Sequence, residues 1–527
     1  MAKKKEIVIK NGRYAGKYLT DKDCSRLESL LKLDESRGCV EDLKHVIYDL
    51  PSSVVEEIKS FGSVVSEDSL RIGTLEDSQT VGVAYMYFAK RLLSGDSVGL
   101  GKTVEVAGLC NLLQQSYKKE GRNFRFLMLT NKTILDEICD KMIQFTGNYV
   151  YKLYGEKSNV NSFIKEYGDF LPDSVVGAHS LLKNPIFQEY IINYKNVTGE
   201  CPFDILIVDE SGDVLTNTTT QYYEGGKYLA SFFDRVILLN ATPFEKELRQ
   251  FYAQLSFIDD TFLPTKTEFS KKYEVFDYGR ARYPVFSGKY RNADEFMYLV
   301  KYRYLKRTRR DIGGVMRDCN AELLIAPLTS KQRELLKMVS MPAMVYDCPS
   351  YFPFANIPTN IETTPKLASL VDLVKDRFKD DGSILVYARY KEAQYCIKSE
   401  LEAQGISVAI MNGDTPNELR NQYIRSFKLG DIKVLVTSVQ KGLDFGNCNI
   451  CIFYDYDPNP ANMVQFEGRT TRSRDIIGKT VILLVSRGKE LKNLREVVAD
   501  RAQASELFSG SDFSCVLGLL SDCKELK

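Results

Sequence analysis

A loop able to hold phosphate is indicated by the segment DSVGLGKT, which runs from Asp96 to Thr103 ahead of an amphipathic pattern. Small residues such as Gly99 and Gly101 let backbone N–H groups turn towards phosphate oxygens at the positive end of a helix. Lys102 can reach the terminal phosphates of a nucleotide, and the Thr103 hydroxyl can ligate Mg²⁺. Asp96 stands where the strict pattern has a glycine, so a glycine-rich helix cap is the alternative interpretation.

Two adjacent carboxylates, Asp209 and Glu210, follow the apolar run ILIV. At the C-terminal end of a parallel strand, one carboxylate can bind Mg²⁺ while the other orients and deprotonates an attacking water. The alternative is a solvated turn within the segment DESGD.

A third segment whose side chains could take part in phosphate chemistry is QFEGRTTRSR, which begins at Gln465. Arg469 and Arg472 are at positions i and i+3 and could therefore share one helix face. Two guanidinium groups so placed could stabilise the charge that develops on a transferred phosphoryl group. A basic, solvated helix is the alternative.

Three weaker features leave alternatives open. His179 follows an apolar run in GAHS, where a lone histidine is more often structural than functional. The basic run KRTRR at 306–310 could bind phosphates or form a solvated helix face. Cys448 and Cys451 lie in an apolar run, so we interpret this CxxC as core rather than as a zinc site.

The composition limits the possible classes of protein. The 527 residues are enough for three or four domains, and 44% hydrophobic with 27% charged residues is typical of a soluble globular protein. There are 71 basic and 70 acidic residues, so the net charge of +1 neither supports nor opposes nucleic-acid binding. With two histidines, a His-rich metal site is disfavoured.

The location is predicted to be intracellular. The twelve cysteines show no disulfide framework, and no segment approaches the ~18 apolar residues of a membrane span. We expect a soluble protein without membrane contact, in the cytoplasm of a bacterial or infected host cell, with the nucleus as the alternative.

The elements that must position these residues follow from alternating short apolar runs and helical patterns, which predict an α/β fold with two parallel-sheet lobes. Predicted strands of the first lobe are 124–130, 173–180, 204–210 and 234–242, and those of the second are 382–389, 407–413, 433–438, 449–457 and 480–486. The predicted domains are an N-terminal accessory region (1–70), lobe 1 (71–248), a helical insertion and linker (249–365), lobe 2 (366–490) and a C-terminal helix and tail (491–527).

Taken together, these segments resemble the superfamily-two helicase core and, within it, the Swi/Snf-type DNA translocases, over roughly residues 71–490. LEDSQTVG at 75–82 is similar to the family's L-x-x-x-Q-x-x-G, and DSVGLGKT is similar to its D-E-M-G-L-G-K-T. NATP at 240–243 resembles the segment that couples the lobes. YLKRTRRDI at 304–312 is similar to the family's joint between lobes, and the layout of the insertion is most similar to the compact annealing-helicase branch.

The resemblance implies two RecA-like lobes that bind ATP and Mg²⁺ between them. It implies that Gln79 reads adenine, that Thr103 and Asp209 hold the metal, that Glu210 activates water and that Thr242 serves coupling. It further implies that the nucleotide is bound by Gly99, Gly101, Lys102, Asp444, Gln465, Arg469 and Arg472. It also implies that the DNA backbone is contacted by Thr130, Ser180, Arg389, Asn412, Thr437 and Ser438.

One departure affects the expected function. The family's D-E-A-H is here Asp209-Glu210-Ser211-Gly212, so the histidine that links ATP to lobe movement is absent. The first hypothesis is a monomeric ATPase that moves on duplex or forked DNA in repair or recombination. A strand-separating helicase on DNA or, less favoured, RNA is the second, and a weakly hydrolysing motor subunit or scaffold is the third.

Overall fold

The structure is a computed structural model, and packing divides it into two units. The first comprises Met1–Ser97, Gly101–Arg307 and Asp311–Gly313, and the second comprises Val98–Leu100, Thr308–Arg310 and Gly314–Lys527. The structure describes residues 18–35, 75–168, 172, 174–243, 247–277, 285–309, 311–330, 364–377, 383–438, 445, 448–457, 460–470, 476–487, 490–495, 516 and 519–520.

The first unit is built on a seven-stranded parallel sheet with the order β3-β4-β2-β5-β6-β1-β9. The central strands are buried along their whole length, which explains their continuous apolar runs, since helices cover both faces of such a sheet. The strands are β1 (Arg91–Ser94), β2 (Phe126–Thr130), β3 (Val150–Leu153), β4 (Ser174–Ala178), β5 (Ile205–Val208), β6 (Arg235–Leu239) and β9 (Tyr304–Leu305).

Some helices of the first unit begin at side chains that cap them. Asn184 accepts from the backbone of the helix that Pro185 opens, and Thr265 forms a capping box with Glu268. The helices are α1 (Asp21–Glu35), α2 (Asp77–Ala89), α3 (Lys102–Lys119), α4 (Leu135–Thr146), α5 (Lys157–Tyr167), α6 (Pro185–Thr198), α7 (Gln221–Ala230), α8 (Leu248–Ile258), α9 (Lys266–Tyr273) and α10 (Ala293–Val300).

The accessory helix α1 packs on this unit, because Leu27 and Leu30 are buried in the same core as α2 and α3. The rest of the predicted accessory region, 1–17 and 36–70, lies outside the described residues. Within the predicted insertion, β7 (Glu274–Asp277) and β8 (Val285–Tyr290) form an antiparallel pair. The strand β9, also within that range, joins β1 at the edge of the sheet.

The second unit holds a six-stranded parallel sheet with the order β11-β17-β15-β12-β14-β13. A short parallel pair, β10 and β16, lies in the same unit. The strands are β10 (Met316–Arg317), β11 (Asn320–Ala326), β12 (Ile384–Tyr387), β13 (Val408–Met411), β14 (Val434–Thr437), β15 (Ile450–Phe453), β16 (Ile476–Ile477) and β17 (Thr480–Ser486). The helices are α11 (Pro365–Arg377), α12 (Lys391–Ala403), α13 (Asn417–Leu429) and α14 (Pro460–Gly468).

The predicted fold class is confirmed, since each unit is an α/β lobe with a parallel sheet. All nine predicted strands are present, mostly shorter than predicted. Eight further strands of the described residues were not predicted: β1, β3 and β9 of the first sheet, β11 of the second, and the short pairs β7–β8 and β10–β16. Both thiols of the close cysteine pair are buried, and Cys448 donates to the carbonyl of Ser383 at 3.0 Å. Within the described part of the chain, no helix is long and apolar enough to span a bilayer.

Candidate nucleotide site

The predicted phosphate loop connects β1 to the N-terminus of α3. Gly99 and Gly101 both have positive φ, at 89° and 88°, a conformation that glycine adopts without strain. Gly101 is the residue that caps α3, so the helix's first N–H groups face the loop. Lys102 Nζ donates to the carbonyls of Asp96 at 2.6 Å and Ser97 at 3.2 Å, which holds the ammonium group within the loop.

Gln79 lies over this loop. Its Oε1 accepts the backbone N–H of Glu76 at 3.1 Å as part of a capping box at the start of α2. Its Nε2 lies so close to Gly101 that a Cβ added there would be 2.5 Å away. The residue predicted to read adenine is therefore held in place by the cap of its own helix.

A buried charge cluster supports the loop from beneath. The Arg307 guanidinium donates to Asp96 Oδ2 through Nε at 3.0 Å and to Glu105 Oε1 through Nη2 at 2.7 Å. One cation thus serves two carboxylates. Burial raises the pKa of Glu105 to about 7, against the opposing effect of Arg307 and with a further increase from Asp96.

The predicted carboxylate pair follows β5 directly. Asp209 is 9% exposed, and its Oδ1 accepts the N–H of Glu210 at 3.0 Å. Its Oδ2 accepts from the hydroxyl of Thr130 at 3.3 Å. The Asp209 carbonyl lies 2.7 Å from Nε2 of buried His179, and because a carbonyl only accepts, the ring carries its proton on Nε2.

Glu210 has a left-handed backbone, with φ 46° and ψ 46°, in which a non-glycine residue is strained. This conformation starts the short 3₁₀ turn Ser211–Asp213 directly after the strand. Thr242 lies after the neighbouring strand β6, and its N–H donates to Oδ1 of Asn240 at 3.1 Å. The ends of β5 and β6 thus carry both the carboxylates and the predicted coupling residue.

The structure describes only part of the nucleotide-site residues predicted in the second unit. Gln465 is 2% exposed on α14, and Arg469 is half-buried just beyond that helix. The predicted residues Arg472 and Asp444 lie outside the described residues.

Residues predicted to contact nucleic acid differ widely in exposure. Arg389 is exposed, and Ser180 and Ser438 are half-buried. Thr437 and Asn412 are buried, and the Asn412 amide donates to Gln394 at 3.0 Å. Thr130 is also fully buried, and its hydroxyl serves Asp209, so in this conformation it belongs with the carboxylates and is shielded from a DNA phosphate.

Both interpretations of the basic run at 306–310 are wrong for two of its members. Arg307 and Arg309 are 4% and 3% exposed, so neither forms a solvated face nor offers its charge to phosphate from solvent. Lys306 Nζ donates to the Ala241 carbonyl at 3.3 Å. The burial of Arg307 could have been suspected only from Asp96 and Glu105, two acidic residues in and near the phosphate loop that would require a cation if they were buried.

Oxygen donors suited to Mg²⁺ are present in Thr103 and Asp209. Among the described residues, no group of three or more His, Cys, Asp or Glu could hold a metal. Mg²⁺ in nucleotide sites is usually bound by one or two protein oxygens together with phosphates and water, so this donor set fits Mg²⁺ bound with a nucleotide. The loop and the carboxylate pair thus define a lobe of the P-loop ATPase type.

Comparison with known families makes the class specific. The SNF2-related domain matches residues 78–350, just over half of the chain, and the helicase conserved C-terminal domain matches residues 365–474. The chain belongs to the SNF2-related family and is a superfamily-two ATPase of the helicase type. The predicted resemblance and enzyme class are confirmed.

Individual relatives are distant. The chain is 22% identical over 484 residues to the bovine (Bos taurus) SWI/SNF-related matrix-associated actin-dependent regulator of chromatin subfamily A-like protein 1, covering 85% of this chain and 47% of that protein. It is 32% identical over 176 residues to the ATP-dependent DNA helicase mph1 of Sclerotinia sclerotiorum, covering 28% of this chain and 14% of that protein. The chain therefore spans less than half the length of each.

Among solved structures, a Saccharomyces cerevisiae Dbp5 variant bound to RNA and ADP BeF3 matches with a TM-score of 0.50 and 13% identity. The match covers 86% of this chain and 92% of that one. It shows that the two proteins share a helicase-core fold.

Proposed function

We propose that this protein is a DNA-dependent ATPase that moves on duplex DNA and remodels forks or recombination intermediates. The observation that carries the proposal is the joint presence, within the first unit, of the Lys102 loop and the Asp209–Glu210 pair. Membership of the SNF2-related family supports DNA as the substrate of the motor. The bovine relative is named as a SWI/SNF-related regulator of chromatin, which also supports DNA as the substrate.

In the proposed reaction, the N-terminus of α3 and Lys102 bind the β- and γ-phosphates of ATP. Asp209 and Thr103 would hold Mg²⁺, which supplies charge neutralisation on the phosphates. Glu210 orients a water in line with the γ-phosphate and accepts its proton. The strained backbone of Glu210 supports this role, because strain of this kind is often found at functional residues.

A strand-separating helicase is the second candidate. The similarity to a DNA helicase over 176 residues favours it. Both activities would use the same nucleotide site. The two candidates differ in the nucleic acid that should stimulate turnover. Duplex or forked DNA should stimulate a duplex translocase, and single strands of DNA or RNA should stimulate a strand-separating helicase.

The test is steady-state ATP hydrolysis with no nucleic acid and with single-stranded DNA, duplex DNA, forked DNA or RNA. Lys102→Ala and Glu210→Gln should each abolish stimulated turnover. Lys141→Ala and Glu137→Gln, which alter an ion pair on the surface of α4, are the matched controls and should leave turnover unchanged. Stimulation by single strands alone would replace the first candidate by the second, and no stimulated turnover would contradict both and favour a weakly hydrolysing scaffold.

A further inference from the structure

One buried amide joins the loops that follow β5 and β6. Ser211, next to the carboxylate pair, donates from Oγ to Oε1 of Gln254 at 2.9 Å. Asn240, at the end of β6, donates from Nδ2 to the same oxygen, also at 2.9 Å. The Asn240 carboxamide oxygen in turn accepts the N–H of Thr242 at 3.1 Å. A continuous path of hydrogen bonds thus runs from the nucleotide loop to the predicted coupling residue.

Gln254 is placed for this contact by α8. It is fully buried, and its Nε2 donates to the carbonyl of Gln250 at 3.1 Å and to that of Pro243. Burying an amide costs free energy unless its hydrogen bonds are made, and here both ends of the amide are bonded. Ser211 and Asn240 are buried as well, so the link is protected from competing water.

The same packing explains the glycine at position 212. A Cβ added to Gly212 would lie 2.5 Å from Nδ2 of Asn240 and 3.1 Å from its Cγ. The space beside the carboxylates is therefore filled by Asn240, and a larger side chain at 212 would displace it. Gln254, from the neighbouring helix α8, adds a shared acceptor for Ser211 and Asn240 to this direct packing and to the longer contact of Ser211 Oγ with the Leu239 carbonyl at 3.4 Å.

We propose that Gln254 is the positioning residue through which the nucleotide state of the Asp209–Ser211 loop is transmitted to residues 240–243. This inference rests on the proposed ATPase function and names the route by which hydrolysis is coupled to movement. Gln254 touches neither nucleotide nor metal in this role. It holds two loops in a fixed relation, so that a shift of one is followed by the other.

The test compares Gln254→Leu, which keeps the size of the side chain but removes its polar atoms, with Gln188→Leu. Gln188 is the matched control because it lies in the same unit, and its Nε2 donates to two carbonyls, those of Leu182 at 2.7 Å and Gly225 at 3.1 Å. Two quantities are measured for each variant. One is ATP turnover with and without DNA, and the other is hydrogen exchange of the backbone amides of residues 240–242 with and without a non-hydrolysable ATP analogue and Mg²⁺.

For Gln254→Leu we expect DNA-stimulated kcat to fall roughly tenfold, as loss of about one buried hydrogen bond predicts. Basal turnover and the KM for ATP should stay within about twofold of the original protein, because the variant leaves the phosphate loop intact. The analogue should slow amide exchange at residues 240–242 in the original protein and in Gln188→Leu but not in Gln254→Leu. Combining Ser211→Ala with Gln254→Leu should add little further loss, since both remove the same link.

Equal slowing of exchange in the original protein and in Gln254→Leu would overturn the inference, and so would an equal effect of Gln188→Leu. Failure of the proposed function is a separate result. If no nucleic acid stimulates turnover of the original protein, the DNA motor is contradicted, and the exchange comparison still decides whether Gln254 links the two loops.

Discussion

Arg307 binds Asp96 through both its backbone N–H and its side chain. Its N–H donates to Asp96 Oδ1 at 2.8 Å, and its Nε donates to Oδ2 at 3.0 Å, although the two residues are 211 positions apart. The N–H of Ser97 donates back to the Arg307 carbonyl at 3.0 Å. The segment after β9 therefore fixes the first residues of the phosphate loop, and this explains an aspartate where the strict pattern has glycine.

Removing the cation of this cluster should destabilise the first unit strongly. Arg307→Gln leaves Asp96 and Glu105 buried without their counter-ion, and such a change costs about 3–5 kcal/mol. Arg122→Gln is the control, because its ion pairs are exposed and worth about 1 kcal/mol or less. Urea denaturation measures both. Equal, small losses would show that the cluster does not support the fold.

The glycine of α2 that faces this cluster should resist substitution. A Cβ at Gly82 would lie 2.6 Å from Nη2 of Arg307 and 2.6 Å from Cδ of Glu105. Gly82→Ala should therefore lower the free energy of unfolding by about 1–3 kcal/mol, as overpacking of a core does. At Gly413 an added Cβ meets nothing within 4 Å, so Gly413→Ala should change it by about 0.5 kcal/mol or less. An equally small change in the free energy of unfolding for both variants would contradict this prediction.

A second buried cluster predicts the pH dependence of the other unit. Lys366 Nζ lies 2.8 Å from Glu490 and 3.9 Å from Asp455, and all three are buried. Burial raises the pKa of Asp455 to about 6, against the opposing charge of Lys366, with Glu490 raising it further. The N–H groups of Arg389 and Tyr390 face the same carboxylate and favour its charged form.

The sign follows from proton binding. Between the ordinary pKa of 3.8 and about 6, folded Asp455 retains a proton that the unfolded chain has lost, so this group makes stability fall as pH rises through that window. Asp455→Asn should therefore lose less stability than the original protein between about pH 4 and about pH 6. Exposed Asp414, in Asp414→Asn, is the control and should leave the profile unchanged. Parallel profiles for Asp455→Asn and the original protein would contradict the assigned pKa.

The sequence was informative where the chemistry depends on neighbouring residues. The loop with Lys102 and the pair Asp209–Glu210 could be predicted because each is a short segment next to a strand or helix. The strand β1 was missed because it is short and begins with Arg91, whose charge suggests solvent. The structure buries Arg91 against backbone carbonyls, including that of Ala230 at 2.8 Å.

Contacts between distant segments could not be predicted. The bond from Ser211 to Gln254 joins residues 43 positions apart, and nothing in the sequence of α8 shows that its glutamine is buried and shared. The same holds for Arg307, which pairs with Asp96 and Glu105, acidic residues that only the fold brings near it. Local spacing thus predicts the reacting groups, and the packing of the unit determines what holds them.

His179 provides the last prediction, because its ring donates to the carbonyl of Asp209 at 2.7 Å in a buried position. His179→Leu leaves that carbonyl without its donor, which costs about 1–3 kcal/mol, so ATP turnover should fall by about fivefold to a hundredfold if the loop of Asp209 is displaced. His179→Gln keeps an N–H near the position of Nε2 and should retain turnover within about threefold. Steady-state ATP hydrolysis compares the two, and equal activity in both variants would show that the hydrogen bond does not position Asp209.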